Sequence, residues 1–127
     1  QEHYCAHDSV ANPDNVAYSP DADGLLIAED TDLHARSVLW LLRLGDGLEM
    51  APGIVDPSSS KKHLTAIFVA PEGAEVSSPG YYTNVNGFAY MTLAVAHPDA
   101  GEPYPAILGP LRKCSGSSAV FNAPDSC

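Results

Sequence analysis

The apolar residues of this chain come in short runs, and a turn signal closes each one. Asn12-Pro13-Asp14-Asn15, Ser19 to Gly24, Pro71-Glu72-Gly73-Ala74, Ser77 to Gly80, Asn84-Val85-Asn86-Gly87 and His97-Pro98-Asp99 punctuate it. Pro, Gly, Asn and Asp act here by presetting or permitting the backbone angles that turns need. Between the turns lie Val16–Tyr18, Leu25–Ala28, Ser37–Leu44, Leu64–Ala70, Tyr81–Thr83 and Gly87–Val95. Strand signals at intervals of about 8–12 residues predict an all-β chain of short antiparallel strands. No stretch carries the period of a helix of ordinary length. Eleven prolines and ten glycines, spread along the sequence, agree with that reading.

The individual runs carry more detail. Leu25 to Ala28 is apolar throughout, as expected of an inner strand covered on both faces. Trp40 sits at the centre of the next run and is expected in the core. Asn86-Gly87 between two strands is a strong hairpin signal. The segments 15–28 and 81–95 share one plan: a turn, a short strand, a turn, and an apolar strand that ends in polar groups. Such a near-repeat points to propeller blades, each a four-stranded antiparallel sheet. Gly45 to Lys62 forms the longest irregular region, and loops of that length tend to be functional or held by a partner. From Ala100 onward the chain is rich in Pro, Gly and Ser, with only Ala106–Leu108 expected as strand.

A length of 127 residues predicts one domain. It divides into an N-terminal arm (1–11), a β region (12–98) and an extended tail (99–127). Sixteen acids against six basic residues give a net charge of −10. That charge opposes binding to nucleic acid. It favours solubility, divalent cations or a basic partner surface. No apolar run approaches the roughly 18 residues that span a bilayer. The sequence starts at Gln1 with no methionine, which suggests either a processed chain or a sequence trimmed at its start. Export to an oxidising compartment (a periplasm, the cell exterior or an organelle lumen) is the expectation.

Three cysteines, Cys5, Cys114 and Cys127, lie near the termini. Two of them can form a disulfide in such a compartment. A Cys5–Cys114 bridge would restrain the unfolded chain by about 4–5 kcal/mol in the loop-entropy account. A Cys114–Cys127 bridge would pin the tail instead. His3 and His7 flank Cys5, in an arm expected to fray.

The candidate chemistry gathers after the second strand. Glu29 and Asp30 stand side by side at its end, with Thr31, Asp32 and His34 just beyond. Adjacent carboxylates at a strand end suit a hard cation such as calcium. No Walker loop, dinucleotide fingerprint or nucleophile elbow is present.

Several segments together resemble the PhoX-type alkaline phosphatase family. They are Pro13-Asp14-Asn15, Leu25-Leu26-Ile27-Ala28-Glu29-Asp30-Thr31, His34, Val38-Leu39-Trp40, Gly73-Ala74-Glu75-Val76, Asn86-Gly87-Phe88-Ala89-Tyr90 and His97-Pro98. The resemblance spans Asn12 to Pro98. It implies a β-propeller fold, with calcium and iron held by clustered carboxylates and phosphomonoesters as substrate. Glu29 and Glu75 would be the matching metal ligands, with Asp30 as a further ligand or neighbour. His34 and His97 would position phosphate or move protons. The chain departs from the family pattern at Ser77-Ser78, at Ala96 and Asp99, and at Arg36-Ser37. Family members are also several times longer, so this chain corresponds to one to two blades, an incomplete propeller.

An incomplete propeller leaves strand edges open, and open edges pair with other chains. The expected function is therefore a non-catalytic accessory subunit that binds other protein chains in a larger assembly. An extrinsic lumenal subunit of a membrane complex such as a photosystem is one such role. The alternatives are a calcium-dependent phosphatase fragment, which would be a metal-dependent phosphomonoesterase, and a calcium-binding structural module. No cofactor is expected beyond that calcium.

Overall fold

In a strand, neighbouring side chains point to opposite faces, so a run that is apolar at every position has two faces to cover. That rule organises the molecule. The computed structural model describes residues 9–20, 22–44, 50–51, 54–55 and 64–111. They form β1 (Pro13–Ser19), β2 (Gly24–Glu29), β3 (Val38–Arg43), β4 (Met50–Ala51), β5 (Ile54–Val55), β6 (Leu64–Val69), β7 (Glu75–Val85), β8 (Phe88–Ala96) and β9 (Tyr104–Leu111). There is no helix among the described residues, and so none long and apolar enough to cross a membrane. The chain is all-β, as the spacing of its turns predicts.

The strands make a four-stranded antiparallel sheet in the order β1-β2-β3-β6 and a three-stranded antiparallel sheet in the order β7-β8-β9, with β4 and β5 paired separately. Each larger sheet runs as a meander, the order found within a propeller blade. The two stack face to face. Leu26, Ala28, Leu39 and Leu41 from the first meet Val76, Met91, Leu93 and Val95 from the second in one buried cluster. Ala17, Ile67, Phe68, Ala106 and Leu108 close its margins.

Register then fixes what lies on the other face of the first sheet. Val16 pairs with Ile27, Ile27 with Trp40, and Trp40 with Ala66. One step along, Tyr18 pairs with Leu25, Leu25 with Leu42, and Leu42 with Leu64. Val38 and Val69 pair at the far end. Every one of these outward positions is apolar or aromatic, in a chain that is 17% charged. Val38 and Trp40 are buried, whereas Val16, Tyr18, Ala66 and Val69 are exposed.

Two turns show why the sequence folds locally as it does. Asn86 and Gly87, with φ of 52° and 86°, make the two-residue loop between β7 and β8. Both angles are positive, as a type I′ hairpin requires. Gly24 lies where β2 meets β3, and a Cβ there would stand 2.8 Å from the Leu42 carbonyl oxygen. Only glycine permits that approach.

One expectation needs correction. Ser77 to Gly80 is not a turn between two strands. It is an irregular stretch inside one 11-residue strand, with the register shifting between Ser77 and Gly80 and Ser78 at φ 50°. A bulge absorbs the turn-forming residues without ending the ladder. The strand expected at Ala106–Leu108 is longer, Tyr104–Leu111, and it pairs with β8. Ala11, the last residue of the arm, is buried. Cys5, Cys114, Cys127, His3, His7 and most of the 45–62 loop lie outside the described residues.

Candidate functional site

Glu29 ends β2 and turns its side chain onto the outward face of the first sheet, where it is 0% exposed. A buried carboxylate is costly unless donors surround it. Four do. Oε1 accepts from the Ala11 amide at 2.8 Å and from the Trp40 indole N–H at 2.7 Å. Oε2 accepts from the Val38 amide at 3.0 Å and from His34 Nδ1 at 2.9 Å. A carboxylate offers about four lone-pair sites, so both oxygens are filled.

These four donors come from four places: the arm, the loop after β2, the start of β3 and the middle of β3. Glu29 thus draws the arm and the loop onto the sheet. The loop is braced further. Ser37 Oγ accepts from the Thr31 amide at 3.3 Å, Thr31 Oγ1 accepts from the Leu33 amide at 3.0 Å, and the Ser37 carbonyl accepts from the Ala70 amide at 2.9 Å. Asn12 donates its side-chain N–H to the Asp30 carbonyl. The His34 and Trp40 rings lie 6.4 Å apart, tilted by 54°.

The arrangement differs from a cation site. As placed, Glu29 presents no oxygen to a metal ion. Among the described residues, no group of three or more His, Cys, Asp or Glu side chains converges closely enough to hold one. The described residues therefore do not by themselves form the clustered-carboxylate centre that the resemblance implies. Asp30 and Glu75 lie close enough for the charge of Asp30 to act on Glu75, and His97 and Asp14 add their fields there. His34 belongs to the Glu29 node, and His97, at φ 49°, to the turn after β8.

Burial first, and then the charges of Asp30 and Asp14, push the Glu75 carboxyl above its ordinary value of 4.5, with His97 opposing. Folded Glu75 therefore holds its proton to higher pH than unfolded Glu75. Across that window the folded state binds more protons, so this group's contribution to stability falls as pH rises. Its cost is fully present only above the folded value. Glu75→Gln is expected to raise the melting temperature at about pH 7 and to flatten its dependence between about pH 4 and pH 7. Thermal melts of both proteins across that range check it, and an unchanged slope would contradict it.

Two recesses flank the node. One, of about 610 Å³, is walled by the 30–37 loop with Gly73 and Ala74, and its lining includes Asp30, Asp32, His34 and Arg36. The other, of about 340 Å³, lies on the outward face of the first sheet and is lined by Ala35, Arg36, Val38, Trp40, Ala66 and Val69. Ala35 and Arg36 border both. Reading the sequence pointed to the carboxylates and missed Trp40 and Arg36 as partners in the site. One signal for Trp40 was there: a buried indole N–H needs an acceptor, and the neighbouring strand ends in an acid.

Comparison with family models, with curated proteins and with solved structures finds no match to this chain.

Proposed function

We propose that this chain is a non-catalytic, propeller-derived module that binds other protein chains, with the outward face of its four-stranded sheet as the docking surface. One observation carries the reading: from Val16 and Tyr18 across to Ala66 and Val69 that face is apolar or aromatic, its one acid, Glu29, is fully buried, and it remains open at Val16 and Tyr18, each 58% exposed. Contiguous apolar surface of this kind marks interaction sites in soluble proteins. The same chain covers its other apolar sheet face with a second sheet, so its chemistry favours a packed partner over water. Its acidic charge and three cysteines suit an extrinsic subunit on the oxidising side of a membrane complex.

A double substitution tests this. Val16→Lys with Tyr18→Lys places two charges on the open part of the face. Both sites are exposed, so stability should change by no more than about 0.5 kcal/mol at each. Association with the partners that co-purify with the wild-type chain should fall at least about tenfold. Unchanged association by a correctly folded variant would contradict the reading.

One observation favours calcium binding as a second reading, namely that the charge of Asp30 acts on Glu75, so that a cation there would relieve two neighbouring carboxylates. Added calcium would then raise the melting temperature by mass action. Glu75→Gln would remove that rise.

A further inference from the structure

We propose that the 340 Å³ cavity between β3 and β6 receives the apolar C-terminal residue of a partner chain, with its carboxylate on Arg36 and its last residues laid along the edge of β6. The inference rests on the binding-module reading and names the partner's chemistry. Three features of the site converge on it.

The first is the cavity itself. Its volume falls within the range of about 300–1,000 Å³ typical of small binding sites. Its lining is apolar apart from Arg36. Trp40 forms one wall, and Glu29 holds the indole in place through its N–H. The register of β3 and β6 shifts so that Trp40 faces Ala66 while Val38 faces Val69. That irregularity turns Ala66 and Val69 to the same side, where both line the cavity. An apolar side chain entering it meets a wall that is already formed.

The second is Arg36. It is exposed, and among the described residues it makes no ion pair. In a chain of net charge −10, a guanidinium left unpaired beside an apolar cavity selects for an anion carried by an apolar group. A carboxylate matches its paired N–H donors. The field of the rest of the molecule repels anions that have nothing to bury.

The third is the edge. Among the described residues β6 pairs with β3 alone, so its outer row of N–H and C=O groups faces away from the sheet. Such an edge accepts an extended peptide as an added strand. Val69 ends β6, and the Ala70 amide bonds the Ser37 carbonyl next to Arg36. A peptide lying along β6 with its C-terminus at the Val69 end therefore brings carboxylate and guanidinium together. A free apolar acid would use the cavity and Arg36 but leave the edge unused.

Trp40 is the only tryptophan in the chain, so its fluorescence reports the cavity directly. The full chain is titrated with acetyl-Thr-Ser-Thr-Val-Leu as the free acid, with the same peptide as its C-terminal amide, and with octanoate. The expected result is a saturable change with the free-acid peptide, and binding at least about tenfold weaker for the amide and for octanoate. Arg36→Gln, at an exposed and unpaired position, should keep the fold by circular dichroism and weaken the free-acid peptide by a similar factor. Three outcomes would overturn the inference: no saturable change up to about 1 mM peptide, equal binding of acid and amide, or octanoate binding as tightly as the peptide. Partner association that survives Arg36→Gln but is lost with the Val16 and Tyr18 pair would overturn this inference and leave the docking face standing. Association that survives both would overturn the docking face itself.

Discussion

Glu29→Gln lowers stability by about 3–5 kcal/mol, the usual effect of breaking a buried, fully hydrogen-bonded charged group. The reason is geometric. The amide keeps one acceptor oxygen and turns the other into an NH2 group. Whichever oxygen is replaced, two donors lose their acceptor: Ala11 and Trp40 on one side, or His34 and Val38 on the other. Each buried donor left unsatisfied costs about 1–3 kcal/mol. Water cannot fill the gap easily, because Glu29 is completely buried. For a domain of this size the melting temperature should drop by more than about 10 °C. Trp40 emission should shift to the red as the indole loosens. A melting temperature within about 3 °C of wild type would show that Glu29 does not organise the site.

Leu39→Ala is the second large effect, at about 2–5 kcal/mol. Leu39 is fully buried, paired with Ala28 on one side and Phe68 on the other, and belongs to the cluster joining the two sheets. Ala28 is already small, so the gap opens beside a residue that cannot swell to fill it. Both neighbours sit on hydrogen-bonded strands, which limits collapse, and the cost grows with the cavity that remains. Tyr18→Ala, two strands away but on the outward face and 58% exposed, should cost far less. Denaturant melts of the two variants compare the faces directly. A cost for Tyr18→Ala equal to that of Leu39→Ala would mean that the outward face is part of the folding core and not a docking surface.

Much of the fold was legible because its signals are local. Asn86-Gly87 specifies its hairpin by backbone angles alone. Leu25 to Ala28 announces a strand with two faces to cover, and the structure gives it an inner face against the second sheet and an outer face that runs to Trp40. Ser77 to Gly80 misled because turn residues also make bulges, and only pairing with β8 distinguishes the two. Tyr104–Leu111 was hard to see because its prolines and glycine hide a strand that is held by one neighbour at the sheet edge.

The candidate site was legible in its residue and not in its role. Glu29 stood out as an acid at the end of an apolar strand, which reads equally as a ligand or as a buried anchor. What decides between them is the company it keeps: an amide 18 residues earlier, an imidazole 5 residues later, and an amide and an indole 9 and 11 residues later. No local pattern encodes that convergence. Arg36 escaped notice for a related reason, since its meaning depends on a cavity that exists only once β3 and β6 pair. The nearness of Asp30, just after β2, to Glu75, at the start of β7, is likewise a product of the fold.

Native mass spectrometry of the chain, isolated gently from its source with metals retained, tests the central claim most directly. The binding-module account predicts a hetero-complex of defined stoichiometry with no metal on this chain. A free monomer or homo-oligomer carrying calcium or iron would contradict it and return the carboxylates to the centre of the chemistry.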